Sequence, residues 1–149
     1  MIASLIMLHL YNKIPPESIP FIKDKLHKLD KLGLAKTILR MPLLRMYNVE
    51  IVFWVGGVLL GILGVGRFMV GDKLIGSLKI TLIIISLLSI IASIIVNKFT
   101  EYEFSFVLVI IGYTMITIAT IWWIIDIFLI SARARRKNLN KLLMAFQIK

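Results

Sequence analysis

Residues 74–96 read LIGSLKITLIIISLLSIIASIIV, and residues 104–130 read FSFVLVIIGYTMITIATIWWIIDIFLI. The first run has 23 residues with Lys79 as its single charge, and the second has 27 with Asp126 alone. At 1.5 Å per residue they make helices of roughly 34 and 40 Å, each enough to cross a hydrocarbon core of about 30 Å. A third apolar run, residues 51–65, precedes them. Its 15 residues give only about 22 Å. It crosses only if it continues through Arg67 to Val70, with the guanidinium snorkelling to the headgroups. The expected fold is therefore all-α, an integral membrane hairpin or bundle with two or three segments near 51–70, 74–96 and 104–130.

The rest of the chain agrees with that frame. Of 149 residues, 59% are hydrophobic, and the formal net charge is +10. Soluble globular chains are usually about 45–50% apolar. Eight Lys/Arg precede Val49 and six follow Ile130, leaving four in the 82 residues between. Such basic ends around an apolar centre favour the cytoplasmic side of a membrane. The chain divides into a basic amphipathic region at 1–48, a membrane domain at 49–131 and a basic cytoplasmic tail at 132–149.

The basic region has its own periodicity. Ser18 and Pro20 suit a helix start. Ile19, Ile22, Leu26 and Leu29 then recur on one face, with Gly33 as the expected end. Leu34, Ile38 and Met41 form a second stripe that Pro42 interrupts. This pair could lie on an anionic leaflet or pack as a small helical cap. Residues 1–11 are apolar but have no basic flank and no small-residue cleavage site, so they do not read as a cleaved signal peptide.

Charge creates a conflict over topology. Arg133, Arg135, Arg136 and Lys137 directly follow the third segment and are expected to meet anionic lipid headgroups, with the C-terminus cytoplasmic. If the first segment crosses fully, the basic N-terminal region lies outside. If it is re-entrant or interfacial, both termini lie inside, which the charge rule favours.

Several small residues are spaced for close helix contact: Gly57, Gly61 and Gly64 on the first segment, and Ser86, Ser89 and Ser93 on the second. They fit an oligomer interface or ordinary intramolecular packing. Glycines around Arg67-Phe68 allow a tight turn with positive φ. Trp122 and Trp123 could form an aromatic belt. Asp126 needs an ion partner or an interfacial position, because a carboxylate inside an apolar run is costly. Whether the first segment crosses or is re-entrant, Arg67 shares a membrane face with Asp126, so the two are expected to meet.

In this setting the chain resembles the TM-two domain family, small proteins built on a hairpin of two transmembrane helices. Gly61, Gly64, Arg67, Phe68 and Gly71 match the family turn, followed by Gly76 and Lys79. Residues 121–126, with Trp122, Trp123 and Asp126, match the later motif, and the tail continues to Asn138. Gly66 stands where the family has an acidic residue or histidine. About 35 extra apolar residues separate Lys79 from the Ile-Trp-Trp motif. The resemblance implies a membrane-embedded helical module, in bacterial members at the inner membrane.

The function expected is a non-enzymatic scaffold or accessory subunit, held by another membrane protein or a second copy of itself. The alternative is a small ion or proton transporter or channel subunit using Asp126 and Arg67. The chain has no cysteine and only two histidines. Together with the lack of a nucleophile–base pair or a carboxylate pair, this points away from catalytic, metal and cofactor sites. The basic tail lacks interleaved aromatics, so headgroups explain it better than nucleic acid.

Overall fold

The structure, a computed structural model, describes residues 2–98 and 102–147, so part of the polar turn at 97–103 falls outside the described residues. It is all-helical there, with no strand among the described residues. Among the described residues seven α-helices occur in order: α1 (Ile2–Leu10), α2 (Ile19–His27), α3 (Lys31–Arg40), the single turn α4 (Val49–Ile51), α5 (Val65–Met69), α6 (Lys73–Val96) and α7 (Tyr102–Gln147). The chain forms two compact units, Met1–Val52 with Ser131–Lys149, and Phe53–Ile130.

The first unit is a helical bundle with its own core. Ile6, Leu10, Ile14, Ile22, Leu26 and Leu142 are buried together, and Leu139, Leu143 and Phe146 pack against them. The first amphipathic stripe, Ile19, Ile22, Leu26 and Leu29, therefore faces a core within the protein, and of the second stripe Leu34 and Met41 pack against it while Ile38 stays 43% exposed. The end of α7 joins the same core through Leu139, Leu142, Leu143 and Phe146, against residues of α1 and α2. Burying a Leu or Ile side chain is worth about 1.5–3 kcal/mol, so six of them supply the main cohesion of the unit.

The expected helix end at Gly33 is corrected. α2 stops at His27, and Asp30, in extended conformation, caps a new helix by accepting the Gly33 amide at 2.8 Å. An aspartate cap satisfies one of the unpaired first-turn amides, which outweighs the weak helix propensity of Gly33. Pro42 ends α3 as expected and opens a 3-10 turn, Pro42–Leu44. Arg45 closes that turn at φ 42°, a left-handed conformation costing a non-glycine residue roughly 1–2 kcal/mol.

The second unit holds the decisive correction. The first apolar segment is not one helix over 51–70. A π-helical stretch, Val52–Leu59, gives way to a 3-10 turn, Gly61–Leu63, and then to α5. The wide turn shows in the Leu60 amide, which reaches back five residues to the Val55 carbonyl at 3.0 Å. Gly64 reverses the chain at φ 74°. The two arms close so tightly that a Cβ on Gly56 would lie 2.6 Å from the Gly66 Cα. Glycine interrupts helices at a cost of about 1 kcal/mol each, and here five in eleven residues let the chain fold back on itself.

α6 and α7 pack antiparallel in this unit. The Ser86 hydroxyl donates to the Gly112 carbonyl at 2.8 Å, and the Ser105 hydroxyl to the Ser93 carbonyl at 2.8 Å. Gly112 permits the approach, since a Cβ there would meet Ile90 Cγ1 at 2.6 Å. The serine stripe is thus an intramolecular seam, with Ser86 and Ser93 buried and Ser89 half-buried. Thr117 and Thr120 instead bond carbonyls one turn back in their own helix.

Candidate functional site: a buried ion cluster

The reversed segment 52–69 brings Arg67 inward rather than outward. Its side chain does not snorkel; the residue is 6% exposed and Asp126 is 5% exposed. The guanidinium grips Asp126 with two nitrogens, Nε donating to Oδ2 at 3.1 Å and Nη2 to Oδ1. This is the bidentate geometry that makes Arg–carboxylate pairs strong. Nη1 also donates to Asp72 Oδ2 at 3.4 Å. The expected meeting of Arg67 and Asp126 is found.

Lys79 supplies the second cation. Its ammonium donates to Asp126 Oδ2 at 2.5 Å and to the Gly61 carbonyl at 3.4 Å, and it stands over the Trp122 ring at 5.6 Å. At 3% exposure it is as deeply buried as its partner. One carboxylate thus ties together three parts of the unit: α5 through Arg67, α6 through Lys79, and α7 from which it projects. Burial of any one of these charges alone would be prohibitive, and pairing with hydrogen bonds is the condition for it.

The glycines and aromatics of the motif build the walls around this cluster. Gly64, in its left-handed turn, lies against Gly76 and Lys79: a Cβ would come within 2.9 Å of the Gly76 carbonyl oxygen. The Phe68 ring covers Gly76, where a Cβ would come within 2.8 Å of ring carbons. Gly71 takes φ 83° and ends the turn. The Trp123 indole donates to the Gly57 carbonyl at 2.8 Å, and its ring fills the space a side chain on Gly61 would need. Trp122 and Trp123 are both half-buried against these partners, a different role from an outward aromatic belt. Gly57, Gly61 and Gly64 do not form one smooth helix face, because the helix breaks between them.

Asn138 belongs to the other unit. It is fully buried, and its side chain is saturated by backbone groups. Its oxygen accepts the Tyr47 amide at 2.7 Å, and its nitrogen donates to the carbonyls of Lys13 and Tyr47, both at 3.0 Å. It fixes two loops to α7, apart from the ion cluster. Of the basic residues just before it in the expected headgroup set, Arg133 and Arg136 are exposed, while Arg135 and Lys137 are half-buried.

Two partners in the cluster were not foreseen. Lys79 stood out in the sequence as the single charge of its apolar run and as a motif residue, without a partner assigned, and nothing singled out Asp72. The sign available was that Lys79 and Asp126 are the lone charges of two apolar runs, so an antiparallel hairpin should pair them. Chemically the cluster is closed. Both Asp126 oxygens are engaged by cations, leaving the carboxylate to clamp rather than to capture. Among the described residues, no three His, Asp or Glu side chains group to hold a metal ion. Comparisons with family models, curated proteins and solved structures give no match. The expected likeness to the TM-two domain family therefore has no support from these comparisons.

Proposed function

We propose that the chain is an integral membrane scaffold or accessory subunit without catalytic activity, in which α6 and α7 cross the bilayer and the segment 52–69 is re-entrant. The observation that carries this reading is the burial pattern. In the most apolar window of each long helix only 17% of residues are buried, whereas core helices of soluble proteins are mostly covered. The outer faces remain apolar, with Leu88 59%, Ile94 59% and Phe128 75% exposed, and hydrocarbon is the solvent they suit. Polar groups turn inward instead, into the seam and the ion cluster.

Topology follows from the same arrangement. A re-entrant first segment leaves both basic regions on one side, which agrees with positive charge inside. Arg133, Arg135, Arg136 and Lys137 then sit where α7 leaves the bilayer and meet anionic headgroups. In this reading the module is placed in a cell membrane of bacterial type. A second membrane protein or a second copy would dock on the apolar helix faces.

The native chain has no cysteine, so single cysteines report topology cleanly. Lys36→Cys and Asn140→Cys should both react only with reagent admitted to the cytoplasmic side, and Lys98→Cys with impermeant reagent outside. Cysteines 36 and 140 reacting on opposite sides would overturn the re-entrant arrangement. Function is read separately: cross-linking in intact membranes followed by purification should give a stoichiometric complex. Proteoliposome ion flux that vanishes with Asp126→Asn would replace the scaffold with a transporter.

A further inference from the structure

Within the first unit, α1 and the stretch from the end of α3 to Met46 border a groove of about 620 Å³. Its floor is apolar, formed by Leu5, Ile6, Ile38, Met41, Pro42 and Met46, and its polar lining is His9, Lys13 and Arg45, with no acidic residue. Leu5 and Ile38 are 60% and 43% exposed there, so the groove is open. The Lys13 ammonium lies 2.8 Å from His9 Nε2, and among the described residues no carboxylate pairs with it. Arg45 is bonded through its backbone carbonyl, by Lys141 at 2.8 Å, and no carboxylate among the described residues pairs with its guanidinium. It is also the one non-glycine residue at positive φ among those described.

We propose that this groove binds a single-chain amphiphile with an anionic head, of the long-chain fatty acid class, its carboxylate on Lys13 and Arg45. Ligand pockets combine an apolar lining with a few placed polar groups in about this size range. At roughly 30 Å³ for a group the size of a water or methylene, the groove has room for about 20 such groups. That matches one long acyl chain with its carboxylate. Two cations that no described carboxylate pairs with, beside an apolar floor, select an anionic head over a neutral one. The groove lies wholly within the first unit, so this inference stands apart from the membrane reading.

The test uses the full chain in nanodiscs and a photoactivatable palmitate analogue, with cross-linked peptides mapped by mass spectrometry. Labelling should concentrate in residues 5–13 and 38–46. Palmitate should displace it at least tenfold better than hexadecanol, which has the same chain and no charge. Arg45→Gly is the sharpest variant, because glycine accepts the positive φ without strain. It should hold or raise the melting temperature while cutting labelling at least fivefold, and Lys13→Gln should cut labelling similarly. Equal displacement by hexadecanol, unchanged labelling in Arg45→Gly, or labels confined to α6 and α7 would each overturn the proposal. Displacement by phosphatidylglycerol in the nanodisc as effective as by palmitate would overturn it in favour of a bilayer lipid.

Discussion

Arg67 and Asp126 are 59 residues apart in the chain and form a buried two-point ion pair, with Lys79 closing the remaining side of the carboxylate. The order of damage on mutation follows from which charges are left alone. Asp126→Ala strands two buried cations and should cost more than about 3–5 kcal/mol, the usual loss on breaking one buried pair. Lys79→Met leaves the Arg67 pair intact and should cost less. The double variant Arg67→Met/Asp126→Leu should melt well above the value expected from adding the two single losses. Detergent melting curves of the set check this, and strict additivity would contradict the coupling.

The fold-back at Gly56 and Gly66 depends on the absence of side chains. In Gly66→Ala the new Cβ would fall 2.6 Å from the Gly56 carbonyl oxygen, a backbone atom. Overpacking of this kind costs about 1–3 kcal/mol. The expected result is faster proteolysis within residues 56–66 together with a lower melting temperature.

Asn138→Leu preserves volume but removes a side-chain partner from one amide and two carbonyls. Each buried group left unsatisfied costs about 1–3 kcal/mol. Hydrogen exchange should accelerate at the Tyr47 amide more than at amides of the α6–α7 seam. Asn138→Asp keeps the acceptor and should protect Tyr47 partly, while placing a charge against two carbonyl oxygens.

Asp30→Ala removes the only side-chain cap on α3 and should cost about 1 kcal/mol. The effect should be local, with the Gly33 amide exchanging faster and the ion cluster unaffected.

How far the sequence reaches is clear from individual residues. The two long helices were legible because each carries an unbroken apolar run, and Pro42 announced its own break. The Arg67–Asp126 contact was legible too, because costly charges in apolar runs must find each other. The fate of 51–70 was not. Periodicity reports which residues are apolar, but whether glycines smooth a helix face or break it depends on what packs against them, here Gly56 on Gly66 and Trp123 on Gly61. Asp30 shows the same limit at smaller scale. A local cap restarted the helix three residues before the glycine that was expected to end it.

The ion cluster has a further consequence if the unit lies in an energised membrane. Its two cations, Arg67 and Lys79, are matched by two carboxylates, Asp126 and Asp72. A membrane potential does work of about 2.3 kcal/mol per 100 mV on each elementary charge moved across it. A balanced set moving as one body experiences almost no such force. The clamp can therefore hold the turn around Gly64 at the same tension in a resting cell and a depolarised one, indifferent to voltage in a way that a lone Asp126 would not be.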